Sequence, residues 1–317
     1  MLIAISFAGV TSCSDDSDGG SGSGLLAALG KVKATDATRG YVEYGNAAAA
    51  RGLLDADRAR FLAVSGFGMG NLRNYYQLVS QDLGFDPLAA REAITAGSPP
   101  DWSAIIWGDY DVTAVNKHFT DLGVPRADDG DVTTWTSSAD GSIKLDSPLV
   151  TMAGPNTLNN VRTAPGSFAF SPKQNTLTWV TDPGDDTLAG DPAMKSLAGC
   201  LGDVMAAVIT KSENSPETVA VGVRAPSATD VTDVICVAPG TRDPASIRGH
   251  VSNELANGQS PQANRPWSDL LPQAKVEVSG FPEPAVRITS TPGTGNPPGR
   301  PIQMLNNRDL DALLGIK

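Results

Sequence analysis

The chain has 317 residues, among them 33 Gly and 23 Pro, with 40% apolar and 19% charged side chains. Those shares suit a turn-rich chain with a packed core and exclude collagen, coiled-coil and low-complexity architectures. With 35 acidic against 24 basic side chains, the formal charge is −11, which excludes the basic footprint of a nucleic-acid binder.

Residues 1–12 carry no charge and end at Cys13. The run falls short of the roughly 20 residues that span a bilayer and has the size of a signal-peptide apolar region. Val10-Thr11-Ser12-Cys13 resembles the lipobox of bacterial lipoproteins: an aliphatic residue, two small residues, then the acceptor Cys. The resemblance implies a signal peptide over 1–12, thioether acylation of Cys13 and cleavage before it, although no Lys or Arg precedes the apolar run. Residues 14–24 offer only Ser, Asp and Gly. With nothing apolar to bury they are expected to form a flexible tether reaching roughly 36–40 Å when extended. The lipidated Cys and its tether are assigned to residues 13–35.

Cys200 and Cys236 then remain, an even number. Outside the cytoplasm such a pair commonly bonds, closing a loop of about 37 residues and contributing about 3–4 kcal/mol. The alternative is two separate buried thiols.

Along the body, residues 47–62 and 72–83 read as helices, the second ending at Gly84. Asp86-Pro87 supplies an N-cap and a first-turn proline for a helix over 88–96. An apolar strand over 104–107 leads through Asp109-Tyr110-Asp111 into a helix over 112–122. Hairpins are expected from 132–136 with 142–145, and from 167–170 with 176–180. Asp191-Pro192 opens a helix whose apolar stripe runs through Met194, Leu197, Leu201 and Met205 to Val208, with Cys200 beside it. Strands follow over 219–224 and 231–238, then a helix from Asp243-Pro244 to about 255. A hairpin from 274–278 with 285–290, a strand over 302–305 and a helical turn over 308–314 complete the chain.

Two of these helices share a pattern. Asp111 precedes Val115, His118 and Phe119, and Asp243 precedes Ile247, His250 and Val251, at the same offsets of 4, 7 and 8. Each follows an apolar strand, and together they hold both histidines of the chain. The reading is an α+β fold: an N-terminal helical segment, then two ferredoxin-like sheet and helix modules over 36–212 and 213–317, with an internal duplication as one account of the pattern.

Known catalytic patterns are missing. HExxH, clustered Cys/His ligands, a GxSxG elbow and a Walker loop do not occur, so no catalytic residue, metal or cofactor is expected. Gly66-Phe67-Gly68-Met69-Gly70 has a passing likeness to a dinucleotide turn but lacks a preceding strand; a turn between helices is the better reading. Asp128-Asp129-Gly130-Asp131 and the acidic turn at 182–186 read as solvated turns rather than Ca²⁺ loops. The five tryptophans read as core packing.

In its Ala, Gly, Asp, Thr and Pro content, and in Gly97-Ser98-Pro99-Pro100 followed by a strand and Gly108-Asp109-Tyr110-Asp111, the body resembles uncharacterised lipoproteins of actinobacteria. That resemblance implies a place in the cell envelope and carries no catalytic residue. The expected function is a lipid-anchored, extracytoplasmic binding or structural role at the cell membrane. Its partners are the membrane through the anchor and an envelope protein or small-molecule ligand, with no nucleic acid. Two alternatives stay open: a lipid-anchored hydrolase using carboxylates such as Asp109 and Asp111, and a solute-binding component of a transporter.

Overall fold

A computed structural model describes residues 24–211, 215–293 and 295–316. The signal-peptide and lipidation expectations, Cys13 included, lie outside the described residues. The folded body begins inside the stretch expected as tether: α1 (Gly24–Leu29) buries Leu25 and Leu29 completely. After α2 (Asp36–Gly40) and β1 (Tyr41–Gly45) comes α3 (Ala47–Phe61), capped by Asn46 and kinked at Asp57. Then follow α4 (Tyr76–Leu83), β2 (Glu92–Ser98), β3 (Asp101–Trp107), α5 (Val112–Asp121), β4 (Arg126–Asp129), β5 (Val132–Thr136), α6 (Pro148–Ala153), β6 (Asn160–Ala164) and β7 (Ser167–Ser171). The remainder is α7 (Gln174–Thr181), α8 (Pro192–Leu201), β8 (Ala206–Lys211), β9 (Thr218–Arg224), β10 (Thr232–Ala238), α9 (Pro244–Asn257), β11 (Gln259–Ser260), β12 (Arg265–Pro266), α10 (Trp267–Leu270), β13 (Lys275–Phe281), β14 (Glu283–Ser290), α11 (Arg300–Asn306) and α12 (Asp309–Leu314).

Twelve of these strands form one antiparallel sheet in the order β13-β14-β10-β9-β8-β1-β2-β3-β7-β6-β5-β4. The α+β class holds, but the sheet does not divide into two ferredoxin-like modules. β1 pairs with β8 over its whole length, Tyr41 opposite Thr210 and Gly45 opposite Ala206, so the ladder is continuous. The division placed at 212/213 falls between β8 and β9, which also pair. Outward from the β1–β8 pair the two halves read alike: β1-β2-β3-β7-β6 and β8-β9-β10-β14-β13. α5 and α9 each follow the third strand from the middle, β3 and β10, after an Asp N-cap. Asp111 accepts from the Ala114 N–H at 3.0 Å, and Asp243 from those of Ala245 and Ser246 at 3.2 and 3.1 Å.

The histidines complete the match. An αL glycine ends a neighbouring helix in each half: Gly84 (φ +64°) after α4 and Gly315 (φ +63°) after α12. A Cβ on either would press on the facing imidazole, at 3.2 Å from His118 Nε2 and 2.9 Å from His250 Nε2. Each His therefore seats its helix against the end of another. The two lie in separate halves and do not form a dyad.

Alternation in the strands sets up the layers. Val42, Tyr44, Ile94, Ile105 and Ile209 face one side, under α1, α7 and α8, in a single core. The opposite side is covered by two separate packs. α4, α5 and α6 lie over an aromatic core with Trp135, Phe119, Phe168 and Phe170. α9, α10, α11 and α12 lie over an aliphatic core with Val221, Val223, Ile235 and Ile288.

Local expectations fail where pairing or packing outweighs propensity. Residues 88–96 yield a 3-10 turn at Pro87–Ala89 and then β2, because an alanine-rich segment is held between β1 and β3. Residues 176–180 form α7 instead of a strand; Leu177 and Val180, three apart, both enter the core. Residues 142–145 form no strand: β5 pairs with β4 and β6 instead, leaving Ile143 and Leu145 exposed. The 302–305 segment is α11, started by Gly299 and Pro301. The apolar stripe beginning at Met194 is shared: α8 stops at Leu201 before Gly202 (φ +70°), and Val208 belongs to β8. Four of the five tryptophans are buried, and Trp179 is half-buried.

Candidate ligand-binding groove

Between the two helix packs the middle of the sheet is covered by α3, whose Ala47 joins the aromatic core and whose Ala50, Leu53 and Phe61 join the aliphatic one, and by the Gly66–Gly70 loop beside it. Here a cavity of about 660 Å³ is lined by Tyr41, Glu43, Asn71, Arg73, Thr95 and Trp102, among others. Tyr41 also lines a separate recess of about 260 Å³ whose walls include Thr210, Glu217 and Arg308. Three structures converge on the larger cavity. β1 brings Tyr41 and Glu43 from the floor, because residues 42 and 44 are committed to the other face. The Gly66–Gly70 loop supplies a wall, and the β2–β3 turn, with its cis Pro99-Pro100 bond, supplies the far rim.

The loop is neither a dinucleotide turn nor a turn joining two α-helices. It runs from one 3-10 turn to another and lies flat on β1 and β2. Gly68 sits at φ +77°, and a Cβ there would lie 2.2 Å from the Ala93 carbonyl oxygen, so only glycine allows this approach. That approach lets the Gly68 N–H donate to Glu43 Oε1 at 2.8 Å, while its carbonyl accepts from Thr95 Oγ1 at 2.9 Å.

Glu43 also accepts from the Tyr41 hydroxyl at 3.1 Å. Burial raises the Glu43 carboxyl above its ordinary range. The Gly68 N–H, the Tyr41 hydroxyl and the positive charge of Arg73 oppose that shift without cancelling it. Tyr41 is raised too, by burial first and then by the Glu43 charge. Arg73 is held across the mouth, its guanidinium 4.7 Å from the Phe67 ring centroid and donating to the Ala63 carbonyl at 3.1 Å. The rest of the lining mixes amide and hydroxyl groups (Asn74, Asn156, Ser98 and Thr157, with Asn71 Nδ2 donating to Thr157 Oγ1 at 3.1 Å) with the apolar rings of Pro99, Pro100 and Pro172.

Such a lining both donates and accepts hydrogen bonds at many points. The main cavity presents one carboxyl, Glu43; the recess beside it adds Glu217 and Asp311, with the Ser215 hydroxyl donating to Glu217. The carboxylates considered for hydrolysis are elsewhere: Asp109 is exposed, and Asp111 is exposed and engaged in capping α5. Among the described residues no group of three or more His, Cys, Asp or Glu is arranged to hold a metal, and no helix is long and apolar enough to cross a membrane. Cys200 and Cys236 are joined by a disulfide with Cα atoms 6.1 Å apart, tying α8 to β10. It lies on the face away from the groove, in the core under α8.

Sequence reasoning missed Glu43. Its signal is the alternation of Tyr41-Val42-Glu43-Tyr44-Gly45, which marks a strand with one charged position on its second face. No family model matches the chain, and no curated protein matches it. Two solved structures, crystal forms I and IV of TP0453, are similar to it at a TM-score of 0.40 and 11% identity. The first covers 90% of this chain and 98% of its own, and the second 84% and 95%.

Proposed function

We propose that the protein is a non-catalytic receptor of the cell envelope, anchored through a lipidated Cys13 on the extracytoplasmic side, that holds a hydroxyl-rich small molecule such as an oligosaccharide in the central groove. The observation that carries this reading is the groove lining. Asparagine, serine, threonine and tyrosine side chains, each able to donate and accept, surround an indole wall and one positioned carboxyl. Vicinal hydroxyls need that mixture of partners, and a sugar ring's apolar face suits Trp102. The two halves are read as descendants of one duplicated unit, the groove having formed at their junction.

Calorimetric titration with a panel of soluble glucans, mannans, arabinans and muropeptides tests the binding reading. At least one is expected to bind saturably, with affinity lowered roughly tenfold or more by Glu43→Gln and by Trp102→Ala. Absence of saturable binding across the panel, or binding untouched by both substitutions, contradicts it. The anchor is tested separately by mass spectrometry of the membrane fraction. An acylated Cys13 amino terminus is expected; a Cys13→Ala variant that stays on the membrane contradicts it.

A further inference from the structure

A second cavity lies at the opposite ends of the central strands, and its chemistry differs from that of the groove. It measures about 750 Å³ and is bounded by α3, by the C-terminal end of α8 and by the end of β9. In a chain of net charge −11 this cavity gathers two arginines, Arg224 and Arg287, with a single carboxylate, Asp203, on the same lining.

The two guanidiniums are held from behind. Arg224 donates through Nε to the Leu201 carbonyl and through Nη2 to the Cys200 carbonyl, the latter at 2.9 Å, so the end of α8 orients it. Arg287 stands opposite Cys236 in the β10–β14 register and donates through Nη1 to Glu277 at 3.0 Å. The disulfide thus fixes the backbone behind both arginines. Arg287 Nε is buried and has no hydrogen-bond partner. Unpaired N–H groups of this kind are rare in cores, since leaving one unmade is costly. Arg224 is pushed below the ordinary arginine range by burial first and by the Arg287 charge second, with the Glu277 and Asp203 carboxylates opposing the shift. Leu53, Val204 and Pro226 add apolar surface beside them.

We propose that this cavity is a binding site for a phosphate-bearing ligand, with Arg287 and Arg224 clasping the phosphate and the apolar wall taking the body attached to it. A dianion complements the two guanidiniums on the cavity lining, whose planar forks suit phosphate oxygens. The volume exceeds what a bare phosphate fills, which points to an organic phosphate. Soluble metabolites and lipid headgroups both carry such a phosphate, and the test separates the two sources.

The test titrates the intact, disulfide-bonded protein with glycerol phosphate and with inorganic pyrophosphate at low ionic strength, against sodium chloride of equal ionic strength. Saturable binding is expected for a phosphate probe and not for chloride, about tenfold weaker in Arg287→Gln and intermediate in Arg287→Lys. In parallel, the Arg287 Nε–Hε resonance of the unmodified protein should shift along the same isotherm, a readout that does not depend on any variant folding. Vesicles containing phosphatidic acid, compared with pure phosphatidylcholine vesicles, separate the two sources: capture by the former assigns a headgroup, and soluble probe binding alone assigns a metabolite. A flat titration with every phosphate probe, an unmoved Arg287 resonance, or affinity retained within about twofold in a folded Arg287→Gln variant overturns the proposal.

Discussion

The two halves of the sheet follow one path but are stabilised differently. The β2-β3-β7-β6 half packs rings: Phe85, Phe119, Trp135, Phe168 and Phe170 stack or tilt against one another, with centroids 4.9–6.4 Å apart. The β9-β10-β14-β13 half packs Val and Ile, adds the disulfide, and ties its C-terminal end with a buried ion pair. There Arg242 donates to Glu217 Oε1 at 2.9 Å and reaches the Leu314 and Gly315 carbonyls. The shared strand order places α5 and α9 alike, after β3 and β10, but leaves the other helices and the filling of each core free. The groove lies where the two fillings do not merge, with Tyr41 and Glu43 of β1 on its lining.

The aromatic half should be the more sensitive to truncation. Phe168→Ala, which removes a fully buried ring touching three others, is expected to cost about 4 kcal/mol in chemical denaturation, against about 3 kcal/mol for Ile235→Ala in the aliphatic half. Equal costs would mean the two cores are not distinct. The aliphatic half should instead depend on its cross-link. Replacing Cys200 and Cys236 together by Ser is expected to lower stability by about 4 kcal/mol, the chain-entropy value for a closed loop of this length. Because the bond lies away from the groove, ligand affinity there should hold while phosphate binding beside Arg224 weakens.

Asp233 makes the aliphatic half sensitive to pH. It is buried, accepts from the Gly299 N–H at 2.7 Å, and is raised by burial from 3.8 to about 6. The folded state then holds the proton more tightly than the unfolded state, so stability is greatest below about pH 4 and is lost as pH rises through about 6. Between pH 4 and 7 the protein should lose about 2 kcal/mol relative to Asp233→Asn, which keeps an acceptor for Gly299 without a charge. Parallel pH profiles for the two proteins would contradict this.

The smallest effects test the pseudo-symmetry itself. Gly84→Ala and Gly315→Ala each place a Cβ in the left-handed region against a histidine, and each should cost about 1–2 kcal/mol. Gly315→Ala should cost more, since its contact with His250 is the tighter. A cost in one half and none in the other would break the equivalence of the two His–Gly seats.

Much of this architecture is legible in the sequence, because caps and periodicity act locally. Asp111, Asp191 and Asp243 each begin the helix their side chains anticipate, and the spacing from Asp to His identifies α5 and α9 as counterparts. The pairing of Cys200 with Cys236, expected from an even number of cysteines, is present as a disulfide. What escaped depends on distant partners. β2 is a strand because β1 and β3 flank it, and α7 is a helix because Leu177 and Val180 must reach the same core. Glu43 gains its setting from a glycine loop 25 residues away, and no motif announces that contact.

The central claim, that the gap between the two packs is a receptor groove, is tested most directly by NMR during titration of the intact protein with the oligosaccharide panel. The Gly68 amide and the Trp102 indole N–H should shift together along one saturable isotherm. The Trp267 indole, buried in the aliphatic pack and donating to Glu254, should stay in place. If no member of the panel moves the Gly68 and Trp102 signals, or if Trp267 moves with them to the same extent, the groove is not the receptor site.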